Sequence, residues 1–238
     1  MVSIKSIKKI SVIIAAGGSA SRFGQEDLIS KQFLPLEGKP LLLHSIDKFL
    51  SLSNLFEIII VTNDISSTNN LLLNINQSTN VKVKIIQGGT LRQESVFNGF
   101  CAVDNSVDLV VIHDVARPLF QVSDLERCIE AASNSGAAIL AVPVVDTIKS
   151  AASDKDRLVV KSTVDRTSLF LVQTPQVFSY NLLAKAYKMF KTPEYSQKIV
   201  TDEANMIETL GEKVELILGN RMNMKITYPE DLKIAKAI

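Results

Sequence analysis

Residues 10–24, ISVIIAAGGSASRFG, followed at 27–40 by DLISKQFLPLEGKP, decide how the rest of the chain is read. A β-branched run from Ile10 to Ile14 stops abruptly at Ala15-Ala16-Gly17-Gly18. The connection that follows is built of small residues and carries one arginine, Arg22, and one lysine, Lys31. Small residues let the backbone approach a ligand closely, and free N–H groups in such a loop cradle phosphate oxygens. Two cations beside that nest suit a polyphosphate whose charge grows during reaction. No Gly-Lys-Ser/Thr closes the loop, so it is not a P-loop, and the three spaced glycines of the dinucleotide fingerprint are absent.

Outward from this stretch, short β-branched runs recur at 58–61 (IIIV), 81–86 (VKVKII), 109–112 (LVVI) and 137–144 (AAILAVPV). Helices are predicted between them at 41–52, 91–103 and 123–133, the last with Ser123 as its N-cap. Continuous apolar strands alternating with helices indicate an α/β fold with a mostly parallel sheet covered on both faces. Ligands of such sheets bind at the carboxyl ends of the strands. Four connections are therefore of interest: 15–31, 87–95, 113–118 and the segment after Pro143. The polar stretch after Val61, TNDISSTNN, holds no reactive constellation and is assigned no chemistry.

Residues 146–166, DTIKSAASDKDRLVVKSTVDR, break the alternation. Two extended stretches joined by a polar tip at 153–157 read as a β-hairpin arm. An arm with no helix to cover it needs a partner, so a homodimer contact is expected. After it come FLVQTPQVF, helices near 181–190 and 202–210, a strand at 214–218, a further extended segment at 223–227 and a helix from Pro229. No linker separates a second domain, and residues 1–238 are read as one.

Lys and Arg number 26 and Asp and Glu 25, so cationic work is local and a nucleic-acid surface is not expected. Cys101 and Cys128 form no C-x-x-C pair, which disfavours a disulfide framework or a zinc site. Lys5, Lys8 and Lys9 precede an apolar run too brief for a leader peptide, which is read as the first strand of a cytoplasmic protein. No apolar run approaches the ~20 residues of a membrane span.

His113-Asp114-Val115-Ala116-Arg117-Pro118 follows the strand at 109–112 directly. A carboxylate there can hold Mg2+ or a sugar hydroxyl while Arg117 grips a phosphate. His113 and His44 are read as structural, since phosphoryl-type transfer works mainly by positioning and charge. Gln87-Gly88-Gly89-Thr90, with Arg92 and Ser95, forms a third loop whose backbone groups and serine hydroxyl can read a nucleobase edge. Thr147 and Arg166 lie at the base of the arm, where they can serve a neighbouring subunit; Thr174 is a further polar candidate. Lys225 supplies a late cation, and Asp202 and Glu203 begin a helix whose dipole favours acids.

Taken together, AAGGSASRFG, KQFLPLEGKPLLLHSI, GGTLRQESV, HDVARP, AVPVVDTIKS, TVDRTSLFLVQTPQVF, TDEANMIETLG and NMKITYPEDL closely resemble the 2-C-methyl-D-erythritol 4-phosphate cytidylyltransferases of non-mevalonate isoprenoid synthesis. The resemblance spans nearly the whole chain. It implies a Rossmann-like nucleotidyltransferase fold, a three-layer sandwich whose dimers exchange the arm. It implies CTP at Ala15, Ala16 and Gly17, with Gly88, Thr90, Ser95 and Val115 beside the nucleoside. Arg22 and Lys31 would steady the triphosphate and the α-phosphorus, with Lys225 near the α-phosphate. Asp114 would lie by Mg2+ and the substrate hydroxyls. Arg117, with Thr147, Arg166 and Thr174 from the partner's arm, would hold the methylerythritol phosphate, whose phosphate oxygen displaces pyrophosphate. A pentitol-phosphate cytidylyltransferase shares the loop and KQFLPL, but VDTIK, TVDR, QTPQ and HDVARP favour methylerythritol phosphate. A silent nucleotide-binding regulator would not need the full set of charged residues. Three positions depart from the family pattern: Ala20 stands where glycine is usual, Thr90 where an acid is frequent, and Val115 where a smaller residue is usual.

Overall fold

The computed structural model describes residues 8–18, 30–154, 156–195 and 200–238. Its strands are β1 (Ile10–Ala15), β2 (Pro35–Leu36), β3 (Lys39–Pro40), β4 (Leu55–Thr62), β5 (Lys82–Gln87), β6 (Leu109–Asp114), β7 (Ala137–Pro143), β8 (Ile148–Asp154), β9 (Arg157–Val164), β10 (Phe170–Ser179) and β11 (Glu215–Leu218). The helices are α1 (Leu41–Leu50), α2 (Ile65–Ser78), α3 (Arg92–Cys101), α4 (Val122–Ser135), α5 (Tyr180–Phe190), α6 (Glu203–Thr209) and α7 (Pro229–Lys236). Seven strands form one sheet in the order β11-β7-β10-β6-β1-β4-β5. Its neighbours pair in parallel except β10, which runs antiparallel to both β6 and β7.

The apolar runs become central strands because both of their faces are covered. On β1, Val12 and Ile14 pack on one side and Ile13 on the other; β4 and β6 divide the same way, with Ile58, Ile60 and Val111 opposite Ile59, Val61 and Ile112. Helices α1, α2, α4 and α7 cover the first face, and α3, α5 and α6 the second. These side chains are almost fully buried, each contributing about 1.5–3 kcal/mol of apolar burial. The result is the three-layer, mostly parallel sandwich expected from the sequence. At Gly99 of α3 a Cβ would lie 2.7 Å from Val61 Cγ2 and 2.8 Å from Ile13 Cγ2, so glycine lets this helix press onto the sheet.

Several local expectations are corrected. Helix α4 begins at Val122 after an extended Gln121, so Ser123 lies inside the helix and is not its cap. The stretch read as a polar loop after Val61 is largely α2; its composition has poor helix propensity, but Asp64 starts it by accepting from Ser67 N at 3.0 Å. Residues 223–227 form no strand. Instead they are tied as a loop: Ile226 N donates to Ala116 O at 2.8 Å, and Asn223 Nδ2 to Thr174 O at 2.9 Å.

Strands β8 and β9 pair with each other antiparallel, Ile148 opposite Val164 and Asp154 opposite Arg157, in a separate two-stranded sheet. The hairpin therefore forms where the alternation of the sequence broke. Leu158 on β9 is 82% exposed. Among the described residues no helix is long and apolar enough to cross a membrane.

Candidate active site

Strands β1 and β6 end side by side, with Ala15 registered against Asp114, and the connections leaving them line a cavity of about 510 Å³. Ala15, Gly17, Lys31, Thr90, Ser95 and Val115 all line it. Ala16 is buried beneath, its N–H donating to Val61 O at 2.8 Å. Gly88 also lies behind the wall, with its N–H on Thr62 O at 2.9 Å. Arg22 and Ala20 lie outside the described residues.

Lys31 opens a single 3-10 turn, Lys31–Phe33, whose next residue explains its placement. Gln32 is fully buried and its Nε2 donates to Thr62 Oγ1 at 2.7 Å, which fastens the turn to the end of β4. Asn63, one residue further, lines the same cavity and donates to Gly17 O at 3.3 Å. Sequence reading missed Asn63 because it carries no titratable group. Its position just past a strand's carboxyl end was the available signal.

The Gly88-Gly89 loop is more internally engaged than expected. Gly89 N donates to Ser95 Oγ at 3.0 Å, Ser95 Oγ donates to Leu91 O at 3.1 Å, and Thr90 N donates to Glu94 Oε2 at 2.8 Å. Ser95 thus shapes the turn, and the Thr90 backbone N–H is already committed to Glu94. A Cβ on Gly89 would lie 2.4 Å from Glu94 Cβ, so the close approach requires glycine.

A second cavity, about 420 Å³, lies beside the first and is lined by Arg117, Thr174, Gln176, Thr201 and Asp202 among others. Three charged residues, Arg92, Asp114 and Lys225, belong to both. Asp114 Oδ1 accepts from Arg92 Nε at 2.9 Å and its Oδ2 from Lys225 Nζ at 2.8 Å. Burial pushes the Asp114 carboxyl up, but Arg92 and then Lys225 outweigh it and hold the group well below the usual carboxylate range. It is ionised throughout the physiological range.

Arg92 also reaches Glu203, Nη1 lying 3.1 Å from Oε2. Burial works against its charge, yet Glu203 and Asp114 together raise its pKa above the ordinary arginine value. Glu203 is 1% exposed, and burial raises its carboxyl against the pull of Arg92. Neither residue's part was foreseen: Arg92 was read with the Gly-Gly loop and Glu203 as a helix start, and only folding brings the two together. Asp202 does cap α6, accepting from Asn205 N at 3.1 Å.

Thr174 sits on β10 in the central sheet, not on the arm. Its Oγ1 accepts from Asp114 N at 3.0 Å and lies 3.1 Å from His113 Nδ1. His113 is fully buried between Phe49 and Phe120, and desolvation lowers its pKa to about 3, so it is a neutral structural ring as read from the sequence. Arg117 is turned onto backbone: Nη1 donates to Asn223 O at 2.8 Å and Nη2 to Val172 O at 3.2 Å. It thereby braces the loop that delivers Lys225. Thr147 and Arg166 line neither cavity of their own chain, and Arg166 donates to Val145 O at the base of the arm.

A depression of about 540 Å³ at the amino ends of the strands carries Glu126, Glu130 and Lys8, a charge balance unsuited to a polyphosphate. The first cavity at Asp114 is instead lined by three cationic residues, Lys31, Arg92 and Lys225.

Comparison with known proteins places the sequence and the fold in one family. The sequence profile of 2-C-methyl-D-erythritol 4-phosphate cytidylyltransferase matches residues 10–238. The enzyme of that name from Desulforamulus reducens is 39% identical over 96% of this chain and 94% of its own. That from Alkaliphilus oremlandii is 39% identical over 99% and 97%. In structure, the 4-diphosphocytidyl-2C-methyl-D-erythritol synthase of Anaerococcus prevotii superposes with a TM-score of 0.80 at 29% identity, covering 97% of this chain and 96% of its own. The Thermus thermophilus cytidylyltransferase gives 0.76 at 30%, covering 96% and 98%.

Proposed function

The chain belongs to the 2-C-methyl-D-erythritol 4-phosphate cytidylyltransferase family, and from that premise we infer that its two adjoining cavities are where CTP and the polyol phosphate meet. The enzyme is a nucleotidyltransferase that forms 4-diphosphocytidyl-2-C-methyl-D-erythritol from CTP and 2-C-methyl-D-erythritol 4-phosphate. A phosphate oxygen of the acceptor bonds to the α-phosphorus of CTP, the bond from that phosphorus to the β-phosphate oxygen breaks, and pyrophosphate leaves.

The observation that carries the assignment of the site is the shared wall. Transfer between two bound substrates needs neighbouring pockets whose common boundary holds the reacting phosphorus, and Arg92, Asp114 and Lys225 line both cavities. In this reading the Ala15–Gly17 strand end, Thr90, Ser95 and Val115 surround the nucleoside side, with Ala16 and Gly88 as backing. Lys31, with Arg22, balances the charge of the triphosphate, and Lys225 faces the α-phosphate. Such fixed cations stabilise charge that develops at the phosphorus without reorganising. Thr174 acts by setting Asp114, and Arg117 contributes to the acceptor side while bracing the Lys225 loop.

Magnesium is part of this reading. Among the described residues no cluster of three or more His, Cys, Asp or Glu offers a ready cage, whereas Asp114 supplies one ionised carboxylate at the cavity wall. That donor set fits an ion arriving with the triphosphate, since Mg2+ retains phosphate and water oxygens as most of its ligands. Asp114 would hold it, and the ion when bound neutralises phosphate charge.

The arm is read as a homodimer contact, and Thr147 and Arg166 as serving the partner's acceptor site. Support comes from the exposed apolar residues Leu158 and Val160 on β9 and from the fact that neither polar residue lines its own chain's two cavities. Unpaired Cys101 and Cys128 suit a reducing cytoplasm. The test of the whole reading is pyrophosphate release with CTP and Mg2+, comparing methylerythritol 4-phosphate with ribitol 5-phosphate. Release with the former alone supports it, and release with ribitol phosphate alone overturns the acceptor assignment.

A further inference from the structure

Glu203 is a carboxylate with no evident business at the reaction centre. It stands on the first turn of α6, is 1% exposed and lines neither cavity. A buried carboxylate is costly unless it is paired, and its partner is Arg92, 111 residues away in sequence. Arg92 is not thereby used up. Its Nε lies 2.9 Å from Asp114 Oδ1, so one rigid guanidinium plane spans two carboxylates brought from different parts of the fold. Asp114 Oδ2 faces Lys225 at 2.8 Å, and the four charges of Arg92, Lys225, Asp114 and Glu203 sum to zero. The network is balanced, and Arg92 is its central member.

We propose that Arg92, anchored by Glu203, is a positioning residue for CMP transfer, holding the Asp114 carboxylate at the wall between the two cavities with Oδ2 presented to Lys225. The inference rests on the reading of Asp114 as part of the reaction site. The geometry supports it in two ways. Asp114 is held at three points, with its N–H on Thr174 and one carboxylate oxygen on each of Arg92 and Lys225, so its orientation is over-determined. And Glu203 anchors the guanidinium from outside the cavities, where it can fix Arg92 without competing for substrate.

A merely structural arginine would serve only to neutralise Glu203. Two variants separate the possibilities. Arg92→Lys keeps a positive charge beside Glu203 but replaces the planar fork with a point charge that cannot reproduce both contacts. Arg92→Gln combined with Glu203→Gln removes both charges together, so no unpaired carboxylate is left buried. The experiment measures kcat and KM for CTP and for methylerythritol 4-phosphate in both variants, with thermal unfolding to establish folding and Asp114→Asn as the reference. The expected result is folded protein whose kcat falls ~10–100-fold, the effect of misplacing a reacting geometry by about 1 Å, with the KM for CTP held within about threefold. Wild-type kcat in either folded variant, with Asp114→Asn slow, overturns the positioning role and leaves the site reading intact. Wild-type kcat in Asp114→Asn overturns the site reading and this inference with it.

Discussion

Lys225 Nζ lies 2.8 Å from Asp114 Oδ2, an ion pair between groups 111 residues apart that closes the wall between the two cavities. The lysine side chain is 45% exposed and screened by solvent, while the buried aspartate, 12% exposed, keeps Arg92 as a second partner, so the pair contributes at most about 1 kcal/mol to folding. In the site we propose, its role is catalytic. Lys225→Met should leave unfolding by denaturant nearly unchanged while kcat falls ~10²–10³-fold, comparable to losing one preorganised donor to a developing anion. A variant that turns over normally would show that Lys225 does not face the reacting phosphate.

Lys31 adjoins the buried Gln32, whose amide is bonded to Thr62, and it lines the first cavity. In the site we propose, its charge acts most strongly as the α-phosphorus changes geometry. Lys31→Ala is therefore expected to lower kcat far more than it weakens CTP binding measured by calorimetry. Equal losses in the two quantities would assign it to ground-state binding.

Arg166 lies at the base of the arm and lines neither cavity of its own chain. If it completes the partner's site, Arg166→Glu and Lys31→Ala protomers, each inactive as homodimers, should regain partial activity when mixed and exchanged. A heterodimer carrying one wild-type Lys31 and one wild-type Arg166 can assemble one intact site. Continued inactivity in isolated heterodimers would place Arg166 outside the shared chemistry.

The thiols offer a test of packing away from the site. Cys128 is fully buried in α4, and desolvation raises its pKa from 9.0 to about 12, whereas Cys101 is exposed. At pH 8 one thiol should react with an aromatic disulfide reagent in the native protein and the second only on unfolding; Cys101→Ser should abolish the native signal. The raised folded pKa also has a sign. The unfolded chain loses the Cys128 proton near pH 9 and the folded chain keeps it until about 12, so its stabilising contribution is complete below pH 9 and fades above it. Across that window the stability of the wild type should fall more steeply with pH than that of Cys128→Ala, by up to about 1.4 kcal/mol per unit. Parallel profiles would show that the thiol ionises while folded.

Much of the architecture was legible from periodicity. Runs such as Ile58 to Val61 and Leu109 to Ile112 are apolar at successive positions, and a strand can satisfy that pattern only if both of its faces are covered. The order of such runs implied the parallel sheet, and the abrupt switch to small residues after Ile14 marked the carboxyl edge where ligands bind. The hairpin was equally legible, because residues 146–166 alternate with no helix to accompany them. These are local signals, each carried by residues close together in the chain. They sufficed to mark the Ala15 and Asp114 loops, and to single out Lys31 and Lys225.

What local pattern could not show is which charges meet. Arg92 pairs with Asp114, 22 residues on, and with Glu203, 111 residues on, and no spacing in the chain announces either contact. Thr174 read as a loose polar candidate and proved to be a fixed hydroxyl between Asp114 N and His113, because antiparallel β10 is inserted beside β6. Residues 223–227 read as a strand, yet lie as a loop bonded to Ala116 and Thr174, and that loop is what carries Lys225 to the wall. The identity of the chemical groups was written in the sequence because composition and periodicity are properties of neighbours. Their assembly into a balanced network around Asp114 came from tertiary packing, which alone brings distant charges within hydrogen-bonding distance and removes them from water.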